Sequence, residues 1–207
     1  MKKLVILGLV SALAVASQAV LIDSFVNADF ELTTQNAFAN GFDDNGGYDT
    51  PGWQDLTVIT DSGVENSNAW WGTYDGYSAF MAVDNGAYNL SGYTIQAGDE
   101  FTIGFVGKTW DGNSEWTATL FYDSPTNVIG SYVTAVDGTW TAYSNPTAIE
   151  ATAGSIGGTL GISFLNTGSG FANLDNVSVN VVPEPATIGL LGIFGAGMFV
   201  ARRRFKR

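Results

Sequence analysis

Short runs in which apolar and polar residues alternate fill the middle of the chain, and each predicts a β-strand rather than a helix. Residues 101–105 put Phe101, Ile103 and Phe105 on one face and Thr102 and Gly104 on the other. Residues 116–122 repeat the pattern, with Trp116, Ala118 and Leu120 opposite Thr117 and Thr119. The same reading predicts strands at 57–60, 78–83, 87–95, 128–136, 139–144, 159–165 and 175–181. Turn signals separate them: Asp84-Asn85-Gly86, Ala97-Gly98-Asp99, Asp111-Gly112-Asn113 and Asp137-Gly138. No amphipathic helical period stands out between residues 20 and 180. About eight or nine strands at this spacing predict an all-β fold, a two-sheet antiparallel sandwich of the jelly-roll type, over residues 20–180. Residues 20–65 are the least regular part, with a Gly- and Asn-rich loop at 40–48 and Pro51-Gly52-Trp53 leading into a strand.

The two ends of the chain break the alternation with unbroken apolar runs. Lys2 and Lys3 precede an apolar stretch over residues 4–16, and Ser17-Gln18-Ala19 supplies small residues behind it. This order predicts a signal peptide over residues 1–19, removed by signal peptidase after Ala19, and hence export across the inner membrane. At the other end Val182, Pro183, Glu184 and Pro185 open an apolar run over 186–201, closed by Arg202, Arg203, Arg204, Phe205, Lys206 and Arg207. Five of the eight Lys and Arg residues lie in those last six positions. The run is shorter than the roughly 20 residues of a comfortable span, and snorkelling of Arg202 and Lys206 or local thinning closes the gap. A transmembrane helix at 186–201 is therefore expected, with the basic cluster held in the cytoplasm by the positive-inside rule. One reading of this tail is a permanent anchor. The other is a temporary anchor, since Pro183 and Pro185 hold an extended, non-helical site above the membrane.

Charge and missing residue types narrow the function. Within residues 20–182 Lys108 is the only cation against nineteen Asp and Glu, a net of −18. Such a body repels nucleic acid and anionic lipid. Carboxylates in such excess also favour hard divalent cations, calcium above all. The chain has no cysteine and no histidine, which removes disulfide staples, His-based triads and His-ligated zinc. A glycosidase needs only two carboxylates, but nineteen acids make a pair uninformative, and Asp99-Glu100 reads as a solvated turn at a strand entry.

The tail resembles the PEP-CTERM sorting signal of Gram-negative bacteria, whose three parts are a Val-Pro-Glu-Pro motif, a hydrophobic helix and an Arg cluster. The resemblance implies cleavage by an exosortase-type membrane enzyme, transient residence in the inner membrane and an association with exopolysaccharide or biofilm matrix. The body resembles the galactose-binding-like jelly roll of carbohydrate-binding modules. The match runs over Val26-Asn27-Ala28-Asp29-Phe30-Glu31, then Pro51-Gly52-Trp53, residues 95–105, 160–164 and 174–179. That resemblance implies a structural calcium tying the first and last strands, for which Asn27, Glu31 and Asp175 are the corresponding oxygen donors. The alternative is that Asp175-Asn176 only opens the last strand with a local side-chain bond.

The six tryptophans divide between two roles. Trp53, Trp116 and Trp140 read as core. Trp70 and Trp71 are adjacent, and neighbours on a strand point to opposite faces, so both do not bury readily. Trp110 stands beside the turn at 111–113, close to Lys108. Trp70, Trp71 and Trp110 are therefore the candidate stacking platform for sugar rings, with core burial as the competing role. The expected function is an exported, C-terminally sorted surface or matrix protein that binds polysaccharide without catalysis. The alternatives are a structural matrix protein with no ligand and, further off, a glycoside hydrolase.

Overall fold

The computed structural model describes residues 19–32, 41–42, 50–59, 61–66, 74–110 and 113–182. Its strands are β1 (Val20–Leu21), β2 (Trp53–Asp55), β3 (Gly63–Asn66), β4 (Tyr77–Met81), β5 (Gly86–Thr94) and β6 (Glu100–Thr109). They continue with β7 (Glu115–Tyr122), β8 (Ser124–Ala135), β9 (Thr141–Ser144), β10 (Ile149–Glu150), β11 (Thr159–Asn166) and β12 (Ala172–Val182). All pair antiparallel in two sheets. The seven-stranded sheet runs β10-β6-β12-β4-β3, with β1 added to β12 and β9 to β6; the five-stranded sheet runs β2-β5-β11-β7-β8. The fold is the expected all-β jelly-roll sandwich. The expected signal peptide, apart from Ala19, and the expected membrane helix at 186–201 lie outside the described residues. Among the described residues no helix is long and apolar enough to cross a membrane.

The alternation read from the sequence becomes the core. Phe101, Ile103 and Phe105 from β6 face Trp116, Ala118 and Leu120 from β7 and Leu160, Ile162 and Phe164 from β11, all buried in one cluster. Phe164 sits at its centre, edge-on to Phe105 at 5.2 Å and to Trp116 at 5.9 Å. Edge-to-face rings at this spacing add to the burial itself. Trp53 and Trp116 are core, as expected, and each indole N–H finds a backbone carbonyl: Trp53 donates to Asn27 at 2.8 Å and Trp116 to Asn173 at 3.4 Å.

The irregular N-terminal segment is part of this core. Ile22, Phe25 and Phe30 are buried with it, and Phe30 stacks on Trp53 at 4.8 Å. The chain passes close by at Gly52, where a φ of +86° and the 2.6 Å at which an added Cβ would meet the Val26 carbonyl exclude a larger residue.

Several expectations change. Residues 57–59 are not a strand, and residue 60 lies outside the described residues; pairing falls instead on β2 and on β3, whose polar Glu65 and Asn66 hide it from an apolar pattern. Trp140 is not core. It is only partly buried and meets Tyr74 with ring centroids 5.7 Å apart, because it precedes β9 at the sheet edge. Asp99 is not solvated either. It is buried and accepts from the Tyr93 hydroxyl at 2.7 Å and the Gln96 amide at 2.8 Å, closing the turn before β6.

Trp116→Ala should cost about 3–5 kcal/mol in chemical denaturation of the 20–182 body, as for other large core rings. Trp110→Ala, at a half-exposed position, should stay within about 0.5 kcal/mol of the parent.

Candidate functional site

The outer face of the seven-stranded sheet carries the unusual chemistry. Strand alternation sends Val64, Ala79, Met81, Ala172 and Leu174 into the core, and sends Glu65, Ser78, Phe80 and Asn173 to the opposite side. Glu65 of β3 reaches across β4 and accepts a 2.6 Å hydrogen bond from the Asn173 amide of β12. Asn173 is in register with Phe80 on one side and Lys108 on the other. Glu65 is fully buried, and its Oε2 has no hydrogen-bond partner, nor has the Oγ of Ser78 directly opposite it. Burial pushes the Glu65 carboxyl up to about 7, against the opposing pull of the Asn173 bond and the Lys108 charge.

The second group of carboxylates lies where β12 is bulged. The register slips by one residue between Asp175 and Ser178, with Asn176 in the left-handed region at φ +47°. Asp175 is buried; its Oδ1 accepts from the Asn176 amide at 2.6 Å, and its Oδ2 has no partner. Burial raises its carboxyl to about 7. The Asn176 amide lowers it, Glu31 raises it, the Asp75 amide lowers it and Asp29 raises it. The exposed Glu31 accepts from the Tyr77 amide at 2.8 Å. Gly76, at φ +56°, lies so close to both Glu31 carboxylate oxygens that a Cβ there would clash with them.

Glu31 and Asp175, expected to act together, are thus brought to one place, with Asp29 and the Asp75 amide close by. Asn27 is buried beside them, but its amide is engaged: Nδ2 donates to the Leu32 carbonyl at 2.8 Å and Oδ1 accepts from the Leu32 N–H at 2.7 Å. A buried Asp175 oxygen without a well-formed hydrogen bond, near enough to Glu31 to feel its charge and with the Asp75 amide also close, would suit a hard, oxygen-seeking cation. No group of three or more acidic side chains gathers to hold a metal among the described residues, so backbone carbonyls and water would complete the shell. Next to this region a groove of about 410 Å³ is lined by Leu21, Ile22, Phe25, Asn27, Asp29 and Asn176, among others.

The aromatics flank the same outer face. Trp110 is 50% exposed just beyond the end of β6, two residues after Lys108. Gly107 is in register with Thr141, the last rung between β6 and β9, and Trp140 immediately precedes that rung. Tyr74, 49% exposed, packs against Trp140. Trp70 and Trp71 lie outside the described residues. Sequence reasoning found Trp110, placed Trp140 in the core, and passed over Tyr74, Glu65 and Asn173. Trp140 had a usable signal in the Asp137-Gly138 turn three residues before it, whereas Glu65 and Asn173 are joined only by the fold.

Val182 is the last residue of β12. Pro183, Glu184, Pro185, Arg202, Arg203, Arg204, Lys206 and Arg207 lie outside the described residues. Residues 181–206 match the PEP-CTERM protein-sorting motif. No curated protein sequence matches the chain.

The body is similar to carbohydrate-binding modules of known structure. Over 76% of this chain and 99% of the other, it aligns with a family 4 carbohydrate-binding module at 17% identity and a TM-score of 0.51. It is also similar to part of an arabinose-bound α-L-arabinofuranosidase of glycoside hydrolase family 51. There the identity is 13%, the coverage 83% of this chain and 27% of that one, and the TM-score 0.53. A third match is the module-bearing xylanase 10B of Clostridium thermocellum in complex with xylohexaose, at 19% identity over 70% of this chain and 27% of that one, TM-score 0.45. The chain thus spans about a quarter of the length of these enzyme chains. At these identities the likeness establishes the jelly-roll fold.

Glu65 gives the body a defined pH response. Its carboxyl is raised from 4.5 to about 7 in the folded state. Below about pH 4.5 both states hold the proton and the penalty is absent. As pH rises toward 7 the unfolded chain ionises first, so stability falls and then levels off. Glu65→Gln should remove roughly 2–3 kcal/mol of this decline, read as the difference between unfolding free energies at pH 5 and pH 8. Equal pH slopes for parent and variant would rule out the raised carboxyl.

Proposed function

We propose that this protein is exported, held for a time in the inner membrane by residues 186–201, cut at its sorting motif by an exosortase-type enzyme, and retained at the cell surface or in the extracellular matrix. There its jelly roll binds a polysaccharide without catalysis. The observation that carries the binding reading is the pair of half-exposed aromatics, Trp110 just past the end of β6 and Tyr74 packed on Trp140 just before the paired strand β9. Sugar rings present flat C–H faces that stack on aromatic rings. Lys108, the one cation among nineteen carboxylates in the body, would supply charged N–H donors to hydroxyl oxygens. Rings already packed together, as Tyr74 is on Trp140, lose little freedom on binding.

Structural calcium belongs to the same reading. Asp175 and Glu31 would hold it, and it would supply the positive charge that two close carboxylates lack. Its effect would be to tie the N-terminal segment to β12. The carboxylates themselves keep the segment positioned through the Glu31 bond to Tyr77.

Two outcomes test these statements. In affinity electrophoresis through glycan-containing gels, Trp110→Ala and Trp140→Ala should each weaken retention on the order of tenfold, about 1.4 kcal/mol, while melting stays close to the parent. Retention unchanged in both variants, on every glycan that holds the parent, would remove the platform.

For calcium, chelator should lower the melting temperature of the body. Binding to the folded state alone contributes about 2.7 kcal/mol at a hundredfold excess over Kd. Asp175→Asn should abolish the difference between chelated and calcium-loaded samples. Identical melting curves for the parent with and without chelator would dispose of the ion.

A further inference from the structure

The sorting motif begins inside the fold. Its match starts at residue 181, and β12 continues to Val182, so Pro183 follows the last strand residue with no linker between them. Val181 is paired with Val20 of β1 on one side and Phe101 of β6 on the other, and its side chain is buried in the core. Val182 is in register with Glu100, the first residue of β6. An enzyme that cuts a peptide bond takes the flanking residues as an extended strand and bonds to their backbone. Val181 therefore already has a neighbouring strand on each side.

The same end of the sheet is weakly closed. β1 contributes two residues, both exposed. On the far side of β6, Glu100 stands directly opposite Glu150 of β10, itself a two-residue strand. Like charges at directly opposed positions destabilise an antiparallel pair.

We infer that residues 180–182 belong to the segment held by the membrane enzyme that cuts this motif, and that the end of β12 leaves the sheet to be read. The partner is an enzyme with a cleft for an extended peptide, open to a strand that peels away from β1 and β6. The inference rests on the processing reading above. It adds that the folded strand end, and not the tail alone, sets how fast the tail is lost.

The chain has no cysteine, so an introduced pair has no competing thiol. Leu21 and Asn180 are in register. Antiparallel partners lie about 4.5–5.5 Å apart at Cα, within disulfide range. Leu21→Cys with Asn180→Cys, in the full chain exported by cells that process the parent, should form a cross-link that pins β1 to β12. Mass spectrometry of the recovered protein should then find the basic terminus retained, while each single cysteine variant loses it as the parent does. A Gly/Ser spacer of about ten residues between Val182 and Pro183 should restore loss of the tail in the cross-linked chain. Glu150→Lys, which turns the opposed like charges into an ion pair, should slow the loss without any cross-link. Tail loss at the parent's rate in the cross-linked chain would overturn the inference, as would failure of the spacer to restore it. Retention of the tail by the parent itself would instead overturn the processing reading.

Discussion

The extra residue in β12 is the constraint on which both sides of the seven-stranded sheet depend. Ala172 and Leu174 point into the core, and a regular strand would then turn Val177, Val179 and Val181 outward, since side chains alternate strictly. Asn176 in the left-handed region absorbs one residue and restores those three valines to the core. Asn tolerates that conformation better than any branched residue would. The same irregularity leaves a gap along β12 between its pairing with β4 at 172–174 and with β1 at 180–181. The N-terminal segment fills the gap, and the Val177 amide donates to the Ala28 carbonyl at 2.9 Å.

Filling that gap explains why carboxylates gather there. Asp175 stays on the outer side of the bulge, and the turn carrying Asp29 and Glu31 is brought against it. Two acids forced together in a body of net charge −18 are held by the packing of Ile22, Phe25 and Phe30, which are buried with the core. The apolar term outweighs the repulsion, because each buried ring or branched side chain is worth about 1.5–3 kcal/mol and one of the two carboxylates sheds much of its charge near neutral pH.

The outer face follows a similar logic at Glu65. A sheet face buried under neighbouring segments normally carries apolar residues, yet here Glu65, Ser78 and Asn173 occupy it. The Glu65–Asn173 bond spans a whole strand, which fixes β3 against β12 even though β4 lies between them. Asn173 is also in register with Lys108, so the polar link braces the strand next to that residue.

How much of this was legible depended on distance along the chain. The strands β5, β6, β7 and β11, the burial of Trp53 and Trp116, the exposure of Trp110 and the sorting motif all follow from local pattern. Period-two alternation or a short ordered motif contains the information within a few residues. The pairing of Glu31 with Asp175 came from a resemblance, and the fold brings the two together. Trp140 was misplaced because apolar character alone does not say whether a strand's neighbour covers it, and β9 lies at an edge. Asp99 was misread because the Tyr93 hydroxyl that satisfies it comes from the other strand of a turn. Glu65 and Asn173 are 108 residues apart, and nothing near either one announces the other. By itself the sequence determined the fold class, the inward faces of its central strands and the address at its end. The tertiary structure alone decided which polar residues are buried together, because burial and pairing are set by which strands become neighbours, and that depends on the whole chain at once.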